Sequence, residues 1–285
     1  MEIILEILKA ILFGIVEGIT EWLPVSSTGH LILLDEFVKL KVYADGMQNE
    51  AFMEMFNVVI QLGAILAVVL LFFHKLNPFS PKKDTLQKKD TWQLWFKVVV
   101  AVIPSAVIGL LLDDWMDAHV YNYIVVAITL ILYGVAFLFV EKLNQKRTVR
   151  IGDVNDIDYR TAILIGAFQC LSLIPGTSRS GSTILGAILL GVGRSAGAEF
   201  SFFLAIPTML GASGLKLLGF LMDGVPFTPT SVAVLLTGCV VSFLVSLLVI
   251  KGLMEYVRKR SFSVFGVYRI ILGIAVIGYF LLTAV

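Results

Sequence analysis

Long runs of apolar residues, separated by short polar segments, dominate the pattern along this chain. Six runs contain at most one charged residue each. Each is long enough to cross a bilayer as a helix, which takes about 20 residues. We therefore predict six transmembrane helices, over residues 55–73, 94–112, 120–140, 200–222, 225–250 and 261–285.

Two further apolar stretches, residues 3–40 and 161–193, are interrupted in the middle by Pro, Gly and Ser. Each half has about 15 residues and spans about 22 Å as a helix, too little for about 30 Å of hydrocarbon. Irregular backbone at that depth requires a cover of protein or a wet cavity. The pattern predicts an all-α membrane protein with six transmembrane helices and two re-entrant helix-loop-helix hairpins.

The composition agrees, since 58% of the 285 residues are hydrophobic and 15% are charged. The net charge of +1 and the lack of a basic tail give no indication of nucleic-acid binding. The N-terminus has no basic segment before its apolar run and is predicted to be a retained helix. Basic residues lie in alternate loops, which we expect to be cytoplasmic, with the C-terminus outside. These residues are Lys75, Lys82, Lys83, Lys88, Lys89, Lys142, Lys146, Arg147, Arg150, Lys251, Arg258, Lys259 and Arg260.

The two interruptions resemble each other. The sequence GIVEGITEWLPVSSTGH from Gly14 aligns with GAFQCLSLIPGTSRSGS from Gly166. Each interrupted stretch precedes three spans, so the second half begins on the opposite side of the membrane. This arrangement is an inverted-topology repeat. We predict a single membrane domain over 1–285, with repeats of approximately 1–145 and 155–285, and with both interruptions close together near the midplane.

A new helix is expected to begin after each interruption, near Ser26 and near Ser180. Helix N-termini carry free N–H groups and a positive pole, so two of them directed at one point form an anion site. Small Ser and Gly residues allow the backbone to approach the anion closely. The candidate phosphate-binding residues are Ser26, Thr28, Gly176, Ser178, Ser180 and Thr183.

Glu17 and Glu21 lie four residues apart and therefore share one face of the first helix. A carboxylate in hydrocarbon needs a partner or a cavity. Two carboxylates on one face suit a divalent cation, Mg²⁺ or Ca²⁺, bound together with substrate phosphate oxygens. Alternatively, one of them is a general base, or the pair is exposed at the membrane surface.

His30 follows one turn into the returning helix and is a candidate base, acid or nucleophile. Ser27 is a candidate nucleophile if His30 takes its proton. Serines at a helix start also act as simple caps, so the nucleophile stays open between Ser27, His30 and water.

Arg179 lies in the middle of the second interruption, where a guanidinium requires an anion and its two-pronged shape matches phosphate oxygens. The alternative is a structural pair with Glu17 or Glu21. Arg269 lies eight residues into the last span, and we expect it to extend its side chain towards the cytoplasmic face.

Two motifs resemble those of the undecaprenyl-pyrophosphate phosphatases that are linked to bacitracin resistance. One is the ExxxE pair Glu17–Glu21, followed by PVSSTGH from Pro24 to His30. The other is PGxSRSxxT, from Pro175 to Thr183. Both are complete, and the resemblance in length and hydropathy covers the whole chain.

This resemblance implies hydrolysis of a C55 polyprenyl diphosphate to undecaprenyl phosphate and inorganic phosphate, which recycles the lipid carrier of peptidoglycan and other envelope polymers. It also implies a divalent-cation requirement, a homodimer, and a site that opens to the outer face of the bacterial inner membrane. Bacitracin would compete by sequestering the substrate. The catalytic residues would be Glu17, Glu21, Ser27, His30 and Arg179.

Two other functions are compatible with the pattern. A transporter or flippase for a lipid phosphate would use the same broken helices and the same anion site. An anion channel is a weaker alternative, because the two intramembrane glutamates would repel a permeating anion.

Overall fold

A computed structural model of the chain describes residues 2–120, 122–145 and 147–283. Lys146, one of the predicted cytoplasmic cations, lies outside these ranges. The described residues form helices and connecting loops, with one isolated bridge between Ile151 and Val192. The helices are α1 Glu2–Thr20, α2 Ser27–Phe37, α3 Gly46–Val59, α4 Gln61–Leu71, α5 Phe73–Leu76, α6 Thr85–His119, α7 Tyr123–Asn144, α8 Tyr159–Gln169, α9 Arg179–Leu189, α10 Arg194–Met222, α11 Pro229–Lys259 and α12 Ser263–Thr283, with 3₁₀ turns at Val154–Asp156 and Cys170–Leu173.

Six helical segments of the described chain are long and apolar enough to cross a membrane, which confirms the predicted all-α class with six spans. The first of them combines α3 and α4, which meet at Ile60. The protein is therefore a multi-pass membrane protein. The segments are Gly46–Leu71, Thr85–Leu112, Tyr123–Asn144, Arg194–Met222, Pro229–Lys259 and Ser263–Leu282.

The two interrupted stretches form helix pairs, α1 with α2 and α8 with α9. Three of these helices have 11 residues, or about 16 Å, which fits a re-entrant hairpin. In contrast, α1 has 19 residues, or about 28 Å, so the prediction of equal halves was wrong for this helix. Residues 2–20 contain no proline, and the helix ends at Thr20, four residues before Pro24.

The packing of the helices fits an inverted repeat. Helix α1 packs on α11, and its counterpart α8 packs on α6. Both contacts need a glycine at the position that the sequence alignment pairs. A Cβ atom on Gly14 would lie 2.7 Å from the carbonyl oxygen of Gly238, and one on Gly166 would lie 2.0 Å from that of Ala101. These glycines allow the backbones to touch, so the arms of both hairpins are held tightly against long spans.

Candidate active site

The two breaks have the same backbone turn. Ser26 and Ser178 have φ values of 75° and 73°, and they are the only non-glycine residues with positive φ in the described part of the chain. Their side chains accept hydrogen bonds from the N–H groups of Gly29 and Gly181, at 3.2 and 3.1 Å. Each serine therefore caps a new helix, α2 or α9, from a strained conformation. The alignment of the repeats pairs these two residues.

Arg269 on α12 joins the two breaks. Its Nη1 donates to the carbonyl oxygen of Pro24 at 3.0 Å. Its Nη2 donates to the carbonyl oxygens of Gly176 and Thr177, at 2.7 and 2.9 Å. The guanidinium also lies 5.3 Å from the ring centroid of Tyr133. The N-termini of α2 and α9 are thus brought to one place, as the repeat predicts.

The prediction that Arg269 extends to the cytoplasmic face was wrong. Its side chain is completely buried. The non-helical breaks leave backbone carbonyls without helical partners, and these provide acceptors that lipid does not offer. A charged residue well inside an apolar span is by default expected to face the bundle interior, and that signal was present in the sequence.

Glu21 is the centre of a hydrogen-bonded chain between the two halves. Arg179 Nη2 donates to Glu21 Oε1 at 2.9 Å, and Ser27 Oγ donates to Glu21 Oε2 at 2.6 Å. The backbone carbonyl of Glu21 accepts from Ser180 Oγ at 3.0 Å. Arg179 is held on its other side by the carbonyl oxygen of Ser201, at 2.6 Å from Nη1. Arg179 therefore makes the ion pair with Glu21 that the sequence left as an alternative.

Among the described residues, His30 and Ser27 share no hydrogen bond, so the predicted proton transfer between them has no direct path here. Its Nδ1 lies 2.7 Å from the carbonyl oxygen of Ser26, and its Nε2 lies 2.7 Å from the hydroxyl of Tyr268. A carbonyl only accepts, so Nδ1 carries the proton and Nε2 accepts from the tyrosine in the neutral ring. The ring bonds back along α2 to the carbonyl four residues earlier. The nearest base to Ser27 is Glu21.

Glu17 differs from Glu21, because its side chain is fully buried but neither carboxylate oxygen has a hydrogen-bond partner among the described residues. An ionised carboxylate in that position needs a compensating charge. Together with Glu21 it fits a small divalent cation, since Mg²⁺ is commonly bound by one or two carboxylates, water and substrate phosphate. The described residues contain no group of three or more His, Cys, Asp or Glu side chains that would hold a metal ion alone.

The predicted phosphate-binding residues line the same region but make protein contacts here. Ser26 and Ser178 are caps, and Thr183 Oγ1 lies 2.7 Å from Ser201 Oγ. Gly176 adopts a φ of 88°, and Thr28 is half-buried on the first turn of α2. Their placement around two helix N-termini suits an anion.

Comparisons with known proteins identify the family of this chain. A family model described as bacitracin resistance protein BacA matches residues 10–275. The chain belongs to this family. It is 59% identical over 273 residues to an undecaprenyl-diphosphatase of Enterococcus faecalis, covering 96% of this chain and 97% of that protein. It is 57% identical over 278 residues to an undecaprenyl-diphosphatase of Lactiplantibacillus plantarum, covering 98% and 99%. The resemblance seen in the two motifs is confirmed.

Three residues near this BacA-family site were not predicted. Ser201 forms hydrogen bonds with Arg179 and Thr183, and Tyr268 forms one with His30. Arg269 donates hydrogen bonds to both breaks. A small polar residue in a long apolar helix, such as Ser201, gives no distinctive spacing, so only the tertiary packing identifies it. Trp22, at the first break, packs under the Arg179 guanidinium at 5.9 Å from its ring centroid.

Proposed function

We propose that this protein hydrolyses undecaprenyl diphosphate to undecaprenyl phosphate and inorganic phosphate. The observation that carries the proposal is the chain of Ser27, Glu21 and Arg179 between two capped helix N-termini. It combines a hydroxyl, a base and a phosphate-binding cation, which is more than a binding site requires. The names of the relatives support the same reaction. By this reaction the protein would recycle the lipid carrier for peptidoglycan synthesis and counter bacitracin, which sequesters the substrate.

In the binding step, the diphosphate takes the place of Glu21 at Arg179 and lies between the N-termini of α2 and α9. Arginine binds two phosphate oxygens at once, and the N–H groups of the first helical turns donate to others. The polyprenyl tail lies between the spans and needs no specific polar contacts. Further donors come from the residues predicted for this role, Ser26, Thr28, Gly176, Ser178, Ser180 and Thr183.

In the chemical step, Ser27 Oγ attacks the terminal phosphorus while Glu21 takes its proton. The bond between the terminal phosphorus and the bridging oxygen breaks, and undecaprenyl phosphate leaves. Glu21 passes the serine proton to the departing undecaprenyl phosphate. Water then attacks the phosphoserine, Glu21 takes a proton from that water, and this proton passes to Ser27 Oγ as inorganic phosphate leaves. His30 stabilises the start of α2 through Ser26, and the positioned charges provide most of the rate acceleration.

A divalent cation is part of the proposal. Glu17 and one oxygen of Glu21 would hold Mg²⁺ or Ca²⁺, and the unpartnered Glu17 carboxylate supports this assignment. When bound, the cation would neutralise charge on the phosphate oxygens.

The test is phosphate release from undecaprenyl diphosphate by the purified protein in detergent. We expect Ser27→Ala to lose about 10³-fold or more of kcat, because the nucleophile is removed. Ser213→Ala is the matched control, since this buried serine on α10 bonds only to the carbonyl oxygen of Val58 and lies outside the breaks. Turnover by Ser27→Ala above one-tenth of the wild-type rate would show that water attacks directly. A wild-type protein that releases no phosphate would refute the proposed function and favour a flippase.

The location of the site completes the proposal. We expect the protein in the bacterial inner membrane, as a homodimer, with the site open to the outer face. The positive loops predict the orientation.

A further inference from the structure

Arg269 stands out because it is a buried cation without an anionic partner. None of its nitrogen atoms contacts an Asp or Glu side chain among the described residues, and its Nε has no partner at all. Arg179 and Arg194, in contrast, each pair with a carboxylate, that of Glu21 and that of Glu141. A charge in the middle of a membrane protein that is compensated by carbonyl dipoles and an aromatic ring, and not by a carboxylate, points to a function.

The carbonyls that it binds are placed at equivalent points of the two breaks. Gly176 precedes the capping Ser178 by two residues, as Pro24 precedes the capping Ser26. Because one rigid, planar guanidinium binds both segments, it fixes the distance and the angle between the N-termini of α2 and α9. No other side chain of the described residues donates hydrogen bonds to carbonyls of both breaks.

The guanidinium also lies close to the first turn of α9. A Cβ atom on Gly181, in that turn, would be 3.2 Å from Arg269 Nη1. The charge therefore adds to the positive end of α9. Nη1 and Nη2 together donate to three backbone carbonyls, and these bonds tie the side chain to the protein.

We propose that Arg269 is a positioning residue for diphosphate hydrolysis, which holds the two breaks in the register that the substrate requires and acts through the backbone. This inference rests on the proposed function for its kinetic consequence. Its structural consequence, the coupling of the two breaks, does not depend on that function.

The kinetic arm compares Arg269→Lys and Arg269→Met with Arg194→Met. The control removes a partly buried arginine at the start of α10 that pairs with Glu141 and donates to no carbonyl of either break among the described residues. Since a misplacement of about 1 Å costs roughly 10²-fold in rate, we expect kcat of Arg269→Met to fall by about 10²-fold or more. Arg269→Lys keeps the charge but not the two-pronged geometry, and we expect an intermediate loss of about tenfold. Arg194→Met should keep the wild-type kcat even if it unfolds at a lower temperature.

The structural arm measures hydrogen–deuterium exchange in the same proteins without substrate. We expect Arg269→Met to raise exchange in peptides over both 20–30 and 172–183, and Arg194→Met to raise it in neither. Lower activity with unchanged exchange would overturn the proposal, because Arg269 would then act on the substrate directly. Faster exchange at one break only would also overturn it. If Arg269→Met does not fold, Arg269→Lys decides by the same two criteria. A wild-type protein without phosphatase activity would refute the function but leave this arm valid.

Discussion

At the scale of single residues, Glu17 and Glu21 occupy neighbouring turns of α1 but have opposite environments. Both oxygens of Glu21 accept hydrogen bonds, from Arg179 and from Ser27. Both oxygens of Glu17 are buried without a partner. The ExxxE spacing predicted that the two carboxylates share a face, but it gave no basis for separating their roles. The structure favours Glu21 for the proton and Glu17 for the cation.

Glu17→Gln tests this separation. The substitution keeps the shape and removes the charge, so we expect weaker cation binding while the unloaded fold is retained or stabilised. Loss of an outer-shell partner alone costs metal sites about 10- to 100-fold in affinity, and loss of a direct ligand should cost at least as much. The measurement is thermal unfolding with increasing Mg²⁺ or Ca²⁺, because a ligand of the folded state raises the midpoint. An equal rise in wild type and in Glu17→Gln would contradict a role in cation binding.

Residue identities in the site were largely predictable, whereas their contacts were not. Polar residues at an interruption in apolar sequence are visible without a structure, and this is how Ser27, His30 and Arg179 were found. The partner of each side chain depends on rotamers and on distant helices. The His30 ring forms a hydrogen bond with the carbonyl of Ser26 on its own helix, whereas Ser27 donates its hydroxyl proton to Glu21.

At the scale of elements, the breaks are the unusual parts of the chain. Pro24 and Pro175 mark them in the sequence, but the strained caps at Ser26 and Ser178 are not predicted by any residue preference, since serine rarely adopts positive φ. Their geometry is imposed by the tertiary structure around them. The 19-residue length of α1 also differs from the predicted 15 or so, because an apolar sequence does not show how far a helix continues before its turn.

Gly176→Ala should destabilise the second break. Its φ of 88° is unfavourable for alanine, and the added Cβ would lie 2.1 Å from Thr129 Oγ1. The backbone strain alone costs about 1–3 kcal/mol. We expect an apparent melting temperature several degrees lower, together with loss of phosphatase activity.

Gly219→Ala is the matched control for that substitution. This glycine lies within α10, with open space where the Cβ would go. Alanine favours helix by about 1 kcal/mol over glycine, so the melting temperature should stay the same or rise. Equal effects of the two substitutions would mean that the conformation of Gly176 is not important.

At the scale of the whole molecule, hydropathy alone predicted the six spans, because a bilayer imposes a length that the sequence must match. The arrangement of the spans required the repeat. In the repeat, α1 is equivalent to α8 and α6 is equivalent to α11. The contact of α1 with α11 is therefore equivalent to that of α8 with α6. Such close approaches depend on single glycines in apolar sequence, and their partners are not predictable from spacing.

The inverted repeat predicts that equivalent loops face opposite sides of the membrane. The loop before α6 and the loop before α11 are equivalent, and Lys82 and Asp223 are exposed in them. We expect Lys82→Cys and Asp223→Cys, each in a background with Cys170→Ala and Cys239→Ala, to differ in labelling by an impermeant maleimide on intact spheroplasts. Asp223→Cys should react at once, and Lys82→Cys only after permeabilisation. Reaction of both from the same side would exclude an inverted repeat.

The position of Arg269 in the last helix has a consequence for biosynthesis. Chains enter the membrane from the N-terminus, so both breaks and every catalytic candidate are synthesised before α12. Until then, the carbonyls of Pro24, Gly176 and Thr177 lack the donor that joins them. The same carbonyls are the acceptors that Arg269 binds once α12 has entered the membrane. Assembly of the centre therefore uses a residue that is synthesised after every catalytic candidate.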